Sequence, residues 1–169
     1  TDPLDPGPAD SLRVERDGAR IRVLPPANLC LIRSGQRFGD TSDEERQVYL
    51  DDIEPTLRAG MDFLRDHGPE VGCITARYLT ELDADGQPLP VTFGHCWFRS
   101  LADLEDWAAN HPTHQAIFAK QLDLYRQFRQ DLRLELWHEV SVVDGDSQLF
   151  EYVNCHPRTG LLNLIPPVG

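Results

Sequence analysis

Positive charge is scarce in this chain. Lys and Arg number 16 against 28 Asp and Glu, a formal net charge of −12. That balance excludes nucleic acid and anionic membrane surfaces as expected partners, because both are bound through basic faces. Long apolar runs are also missing: nothing approaches the ~20 residues of a membrane span. No signal peptide is visible, and a cytoplasmic location is expected. The chain starts at Thr1 without an initiating Met, so an upstream segment is expected. The four cysteines, Cys30, Cys73, Cys96 and Cys155, form no CxxC pair, which excludes a zinc ribbon or dithiol redox motif and leaves reduced, buried thiols as the expectation. There is no GxxxxGK[ST] loop, no strand-linked GxGxxG, no GxSxG elbow and no zinc-hydrolase spacing of His and Glu. Internal repeats and low-complexity tracts are absent as well.

What is present suits one soluble domain: 169 residues, 40% hydrophobic and 26% charged. Residues 1–24 read as an extended lead-in or linker, with Pro, Asp and Gly concentrated in 1–19 and a short strand at 20–24. A domain over 25–162 and a tail over 163–169 follow. Asn28–Arg33 predicts a strand that Ser34-Gly35 ends. Thr41 or Ser42 caps a long helix to about Asp66, its apolar stripe running Val48, Ile53, Leu57, Met61, Leu64, with Pro55 placed to kink it. Val71–Leu82 and Val91–Phe98 form a hairpin across Asp85-Gly86. Ser100 caps a helix over Leu101–Asn110, and Pro112 starts another to about Phe128. Leu132–Val143 is the clearest strand, and Ser147–Asn154 is the last, followed by an irregular tail. From Asn28 the order is β-α-β-β-α-β plus one strand. This is the α+β, ferredoxin-like (split βαβ) arrangement, an antiparallel sheet with helices on one face.

Three residues interrupt apolar patterns. In LRLELWHEVSVV, Leu132, Leu134, Leu136, Val140 and Val142 share one face, and His138 is the polar member of that row. Such an imidazole is either paired with a polar neighbour or lines a cavity, where a pKa near neutrality suits proton exchange. His114 shares a helical stripe with Ile117, Phe118, Gln121 and Tyr125 that is expected to face inward. It is either a core histidine or a metal ligand. Ser34 lies at a strand end on the face of Cys30 and Ile32, as turn chemistry or as a ligand-facing hydroxyl. His111, His95 and His156 read as structural or turn residues.

GHCWFRSLADLEDWAANHPTHQAIF, then LRLELWHEVSVVDGDSQLFEYVNCHPRTGLL, together with LIRSGQ at Leu31–Gln36, resemble the carboxyl-terminal half of aldoxime dehydratases over most of Pro25–Leu162. The resemblance implies haem b, active in its ferrous form, in half of a dimeric α+β barrel. It implies conversion of an aldoxime, R–CH=N–OH, into a nitrile and water. It matches His114 to the proximal iron ligand, His138 to the distal acid–base residue and Ser34 to the hydroxyl that holds the oxime OH. It further implies an amino-terminal half, as the same or a second chain, that carries a distal arginine and an acidic residue with no counterpart here. Homo-oligomers are expected. The contrasting expectation is a haem- or ligand-binding module that dimerises through its sheet without dehydratase activity.

Overall fold

A computed structural model describes residues 11–165. Two antiparallel sheets organise it. The larger contains β3 (Leu29–Arg37), β4 (Cys73–Leu82), β5 (Pro88–Phe98) and β6 (Glu135–Val143) in the order β4-β5-β3-β6. The smaller pairs β1 (Arg13–Asp17), β2 (Arg20–Leu24) and β7 (Phe150–Val153) in the order β1-β2-β7. Between β3 and β4 lie α1 (Asp43–Val48), a π-helical turn (Tyr49–Ile53) and α2 (Glu54–His67); between β5 and β6 lie α3 (Leu101–Asn110) and α4 (Pro112–Phe128).

The helix boundaries follow local chemistry. Ser42 caps α1 by accepting from the Glu45 N–H at 3.2 Å, and Ser100 caps α3 by accepting from the Asp103 N–H at 3.1 Å. The discontinuity that Pro55 suggested is the π turn just before it, where the helical ladder is already interrupted and a missing N–H costs least. The β4–β5 turn is closed by the Asp83 carboxylate, which accepts from the Asp85 and Gln87 N–H groups at 2.9 and 2.8 Å.

Several expectations are corrected. The lead-in over 1–24 contains the β1–β2 hairpin, which pairs with β7; residues 1–10 lie outside the described part. The last strand therefore joins this smaller sheet and leaves the larger one. The irregular stretch after the last strand contains a 3-10 turn, Gly160–Leu164: Leu161 and Leu162, at the end of the expected domain, are buried with Val23, Leu29 and Ile74, and Leu164 and Ile165 of the expected tail pack against them, while 166–169 lie outside the described residues. Strand β3 does not stop at Ser34-Gly35 but runs on to Arg37. Gly35 continues it because the Trp137 indole lies where a Cβ would stand. Cys30, Cys73 and Cys96 are buried, but Cys155 is exposed.

Strand β6 begins at Glu135 instead of Leu132, after a 3-10 turn at Arg129–Asp131. The intervening segment is held by the fully buried Glu45, whose Oε1 accepts from the Arg133 and Leu134 N–H groups at 2.9 and 2.7 Å. Two donors on one buried carboxylate oxygen fix where β6 enters the sheet.

Glu45→Ala leaves both N–H groups without an acceptor. A loss of about 3 kcal/mol is expected in urea denaturation, with Glu45→Gln, which keeps an acceptor oxygen, losing less than half as much. Gly35→Ala is expected to cost about 2 kcal/mol by overpacking and to change tryptophan emission as the Trp137 ring moves.

Candidate haem site

The larger sheet carries different cores at its two ends. On its helix-facing side, Cys30, Cys96 and Phe98 pack with Leu64, Leu104 and Trp107. Tyr49, Ile53, Leu124 and Leu134 form a second cluster, with Phe38 and Leu136 against it. Along β3 and β6 the residues between these clusters are Ser34 and His138. They face each other across the β3–β6 pair, and Gly94 of β5 stands on the other side of Ser34. Ser34 is therefore mid-strand, not at a strand end, and the two polar residues share one face. Met61 of α2 covers Gly94, its sulfur 2.9 Å from where a Cβ would lie.

Helix α4 begins at His111-Pro112, with His111 as its N-cap. The His111 Nδ1 accepts from the Thr113 N–H at 3.3 Å, and its ring packs on Phe63 at 4.1 Å between centroids. That is the structural role expected for it. His156 likewise closes a turn, accepting from the Arg158 N–H at 3.2 Å. His95 lies on the opposite sheet face between Arg33 and Arg77; burial lowers its pKa and the two guanidinium charges lower it further.

One turn into α4, His114 is half-buried, with its ring edge-on to Trp107 at 4.8 Å. Its Nδ1 is buried without a hydrogen bond of normal geometry, and so is the Trp107 Nε1. Burial lowers the His114 pKa; the Ala108 backbone opposes that shift and the charge of His138 reinforces it. The ring is therefore neutral at pH 7, the form in which imidazole ligates metals. Among the described residues no group of three or more His, Cys, Asp and Glu could hold a metal ion. The neutral His114 ring, with its buried unpaired Nδ1, is a single nitrogen donor of the kind an iron porphyrin takes from a protein.

The helical stripe does not face inward throughout. Of its members Ile117 packs on Gly60, but Phe118 is 55% and Tyr125 60% exposed, and the buried position on this part of α4 is Leu124, outside the stripe. His138 is exposed as well, and its neighbour Val140 is 46% exposed. The reason is topological. Strand β6 is an edge of its sheet, and nothing among the described residues continues the sheet beyond it.

A buried polar chain escaped the sequence reading. Gln36, 2% exposed, donates from Nε2 to the Ser34 carbonyl at 3.1 Å and accepts from the Thr92 hydroxyl at 3.1 Å. Thr92 in turn contacts the hydroxyls of Tyr49 and Tyr78 at 3.1 and 3.0 Å. The available signal was the one that marked His138: Gln36 is a polar residue in the alternating row Cys30, Ile32, Ser34, Gln36. Trp107, against His114, carried no such signal, because it reads as ordinary core.

Among known proteins, the chain is 48% identical to an aliphatic aldoxime dehydratase of Pseudomonas chlororaphis over 145 residues, 86% of this chain and 40% of that protein. It is 37% identical to a phenylacetaldoxime dehydratase of Bacillus sp. (strain OxB-1) over 148 residues, 88% of this chain and 42% of that protein. It thus spans about two-fifths of the length of the curated relatives it matches. A crystal structure of an aldoxime dehydratase in complex with butyraldoxime superposes with a TM-score of 0.85 at 43% identity, covering 95% of this chain and 45% of that one. The mixed α/β architecture, with antiparallel sheets and helices, is common to both. The model of the family described as haem-containing dehydratase matches residues 5–161, and the chain belongs to that family.

Proposed function

We propose that this chain takes part in the haem-dependent dehydration of an aldoxime to a nitrile and water, with His114 as the residue that would hold the iron of haem b, His138 as the acid–base residue and Ser34 as the group that orients the oxime hydroxyl. The observation that carries the reading is the β3–β6 register, which sets Ser34 directly opposite His138 on the sheet face that α4 and His114 overlie. Bound in its ferrous form, the prosthetic group would supply electron density to the oxime.

Hydroxide is a poor leaving group, so the oxime oxygen must gain a proton as the N–O bond breaks. Protonated His138 gives that proton, and the oxygen leaves as water. Neutral His138 then takes the proton from the oxime carbon as the C≡N bond forms, which restores its starting state. Ser34 hydrogen-bonds the oxime OH and holds it toward His138, so that proton transfer occurs within a fixed geometry. Ile32 and Val140, one step along the same strands, present aliphatic surface beside the reacting oxygen, and a cover over the β6 edge completes the exclusion of bulk water.

We read β3 to β6 as a ferredoxin-like unit, supported by the order β4-β5-β3-β6 with every neighbouring pair antiparallel. On that reading residues 25–162 form the haem-binding domain, half of a dimeric α+β barrel, with the β1–β2 hairpin docked on it through β7. The second half, as the same or another polypeptide, supplies the cover that His138, Val140 and Phe118 lack, together with the pocket's arginine and acidic residue. A homo-oligomeric, cytoplasmic enzyme fits the family reading. Among the described residues no helix is long and apolar enough to cross a membrane.

In the haem-loaded protein, His114→Ala is expected to abolish or displace the Soret band; an unchanged spectrum removes the ligand assignment. His138→Ala is expected to keep the haem spectrum while nitrile formation from butyraldoxime under reducing conditions falls about 10²- to 10⁴-fold. Turnover at the unaltered rate sinks the acid–base role.

A further inference from the structure

Ser34 stands beside two glycines in an interior strand of the sheet. Its neighbour along β3 is Gly35, and its partner on β5 is Gly94. Neither offers a side chain to grip the strand, and glycine adds backbone freedom on both sides. From the outer face the Trp137 indole covers Gly35. On the inner face, the atom that reaches Ser34 is the Gln36 amide, which donates to its carbonyl at 3.1 Å.

The donors in this chain can be assigned one by one. Gln36 presents its NH₂ to Ser34, so its Oε1 is left to accept, and it accepts from Thr92 at 3.1 Å. A threonine hydroxyl has one hydrogen. With that hydrogen given to Gln36, Thr92 can only accept from Tyr49 and Tyr78, at 3.1 and 3.0 Å. Burial raises the pKa of both phenols, so both keep the hydrogen they donate. The Tyr78 hydroxyl also lies 3.4 Å from the Glu54 Oε1, longer than its 3.0 Å bond to Thr92, so the shorter bonds run one way, from the two tyrosines through Thr92 and Gln36 to the Ser34 peptide. Gln36 and Thr92 are 2% and 3% exposed, so water does not compete for their atoms. Chains of like-directed bonds in such surroundings strengthen one another. The chain ends on a carbonyl, not on the Ser34 hydroxyl, so it acts as a brace and not as a proton path.

We propose that Gln36, held by Thr92, Tyr49 and Tyr78, is a positioning residue that fixes the backbone of Ser34 and so aims its hydroxyl at the substrate's oxime OH. This rests on the proposed role of Ser34 in dehydration. Its consequence is that Thr92, buried with its hydroxyl among Gln36, Tyr49 and Tyr78, matters to turnover only through Ser34.

The test is a double-mutant cycle in the haem-loaded protein, with butyraldoxime as substrate. Thr92→Val keeps the shape and removes the hydroxyl. It is expected to lower kcat about tenfold while leaving KM and the Soret band unchanged. Tyr78→Phe removes one donor and is expected to lower kcat a few-fold. In a Ser34→Ala background both substitutions are expected to have no further effect on kcat, because the hydroxyl they aim is gone. Equal losses in the two backgrounds, or unchanged kcat in Thr92→Val, overturn the brace while leaving the dehydratase reading intact. If Ser34→Ala itself turns over at the unaltered rate, the role of Ser34 falls and the brace with it. Should Thr92→Val fail to fold, Tyr78→Phe and Tyr49→Phe close the same cycle.

Discussion

The register of β6 against β3 is the constraint on which the site depends. The two strands are joined only through some hundred residues of intervening chain, yet a slip of one position would send His138 to the opposite face and leave Ser34 facing Trp137 or Glu139. The register is pinned at both levels of the sheet. At the entry to β6, the buried Glu45 holds the Arg133 and Leu134 N–H groups. Two residues into the strand, the Trp137 indole covers Gly35 on the outer face, which only a glycine permits. Ion pairs of Arg33 with Glu139 and Arg37 with Glu135, both at 3.5 Å and exposed, agree with the same register but add little energy.

With the register set, the site falls where the helix-facing core divides. One cluster is built on Cys96, Phe98 and Trp107, the other on Tyr49, Leu124 and Leu134. The residues between them are a serine, a histidine and a glycine, with Gln36 and Thr92 forming a satisfied polar layer at one border. Two elements thus meet at the site with different tasks. Helix α4 offers a neutral imidazole steadied by Trp107, and the sheet offers a hydroxyl and a titratable ring in fixed opposition.

Much of this was legible in the residues. The Ser42 and Ser100 caps, Pro112 at a helix start and the Asp83–Gln87 turn are local chemistry, and local chemistry reads directly from sequence. The polar interruptions at His138 and Ser34 were equally plain, because strand alternation has a strict period. What was hidden is tertiary. Nothing in Phe150–Val153 says that it pairs with β2 and leaves the larger sheet, and Leu161 and Leu162 become core only because the smaller sheet is there to receive them. The α4 stripe misled for the same reason. An apolar helical face signals burial against something, and Phe118 and Tyr125 meet no partner among the described residues.

That exposure bears on the chemistry. Proton transfer to a leaving oxygen is efficient where water cannot screen the charge or compete as donor. The His114 side already meets this condition, since burial is the largest cause of its lowered pKa. The His138 side does not, because its strand is a sheet edge and its neighbour Val140 is half open. A single edge strand cannot dry both of its flanks. On the proposed reading, the asymmetry separates two demands within one site: His114 is set by α4 and its neighbours, whereas His138 as an acid calls for a second apolar surface laid over β6. The chain spans about two-fifths of the length of its curated relatives, and among the described residues no such surface lies along the β6 edge.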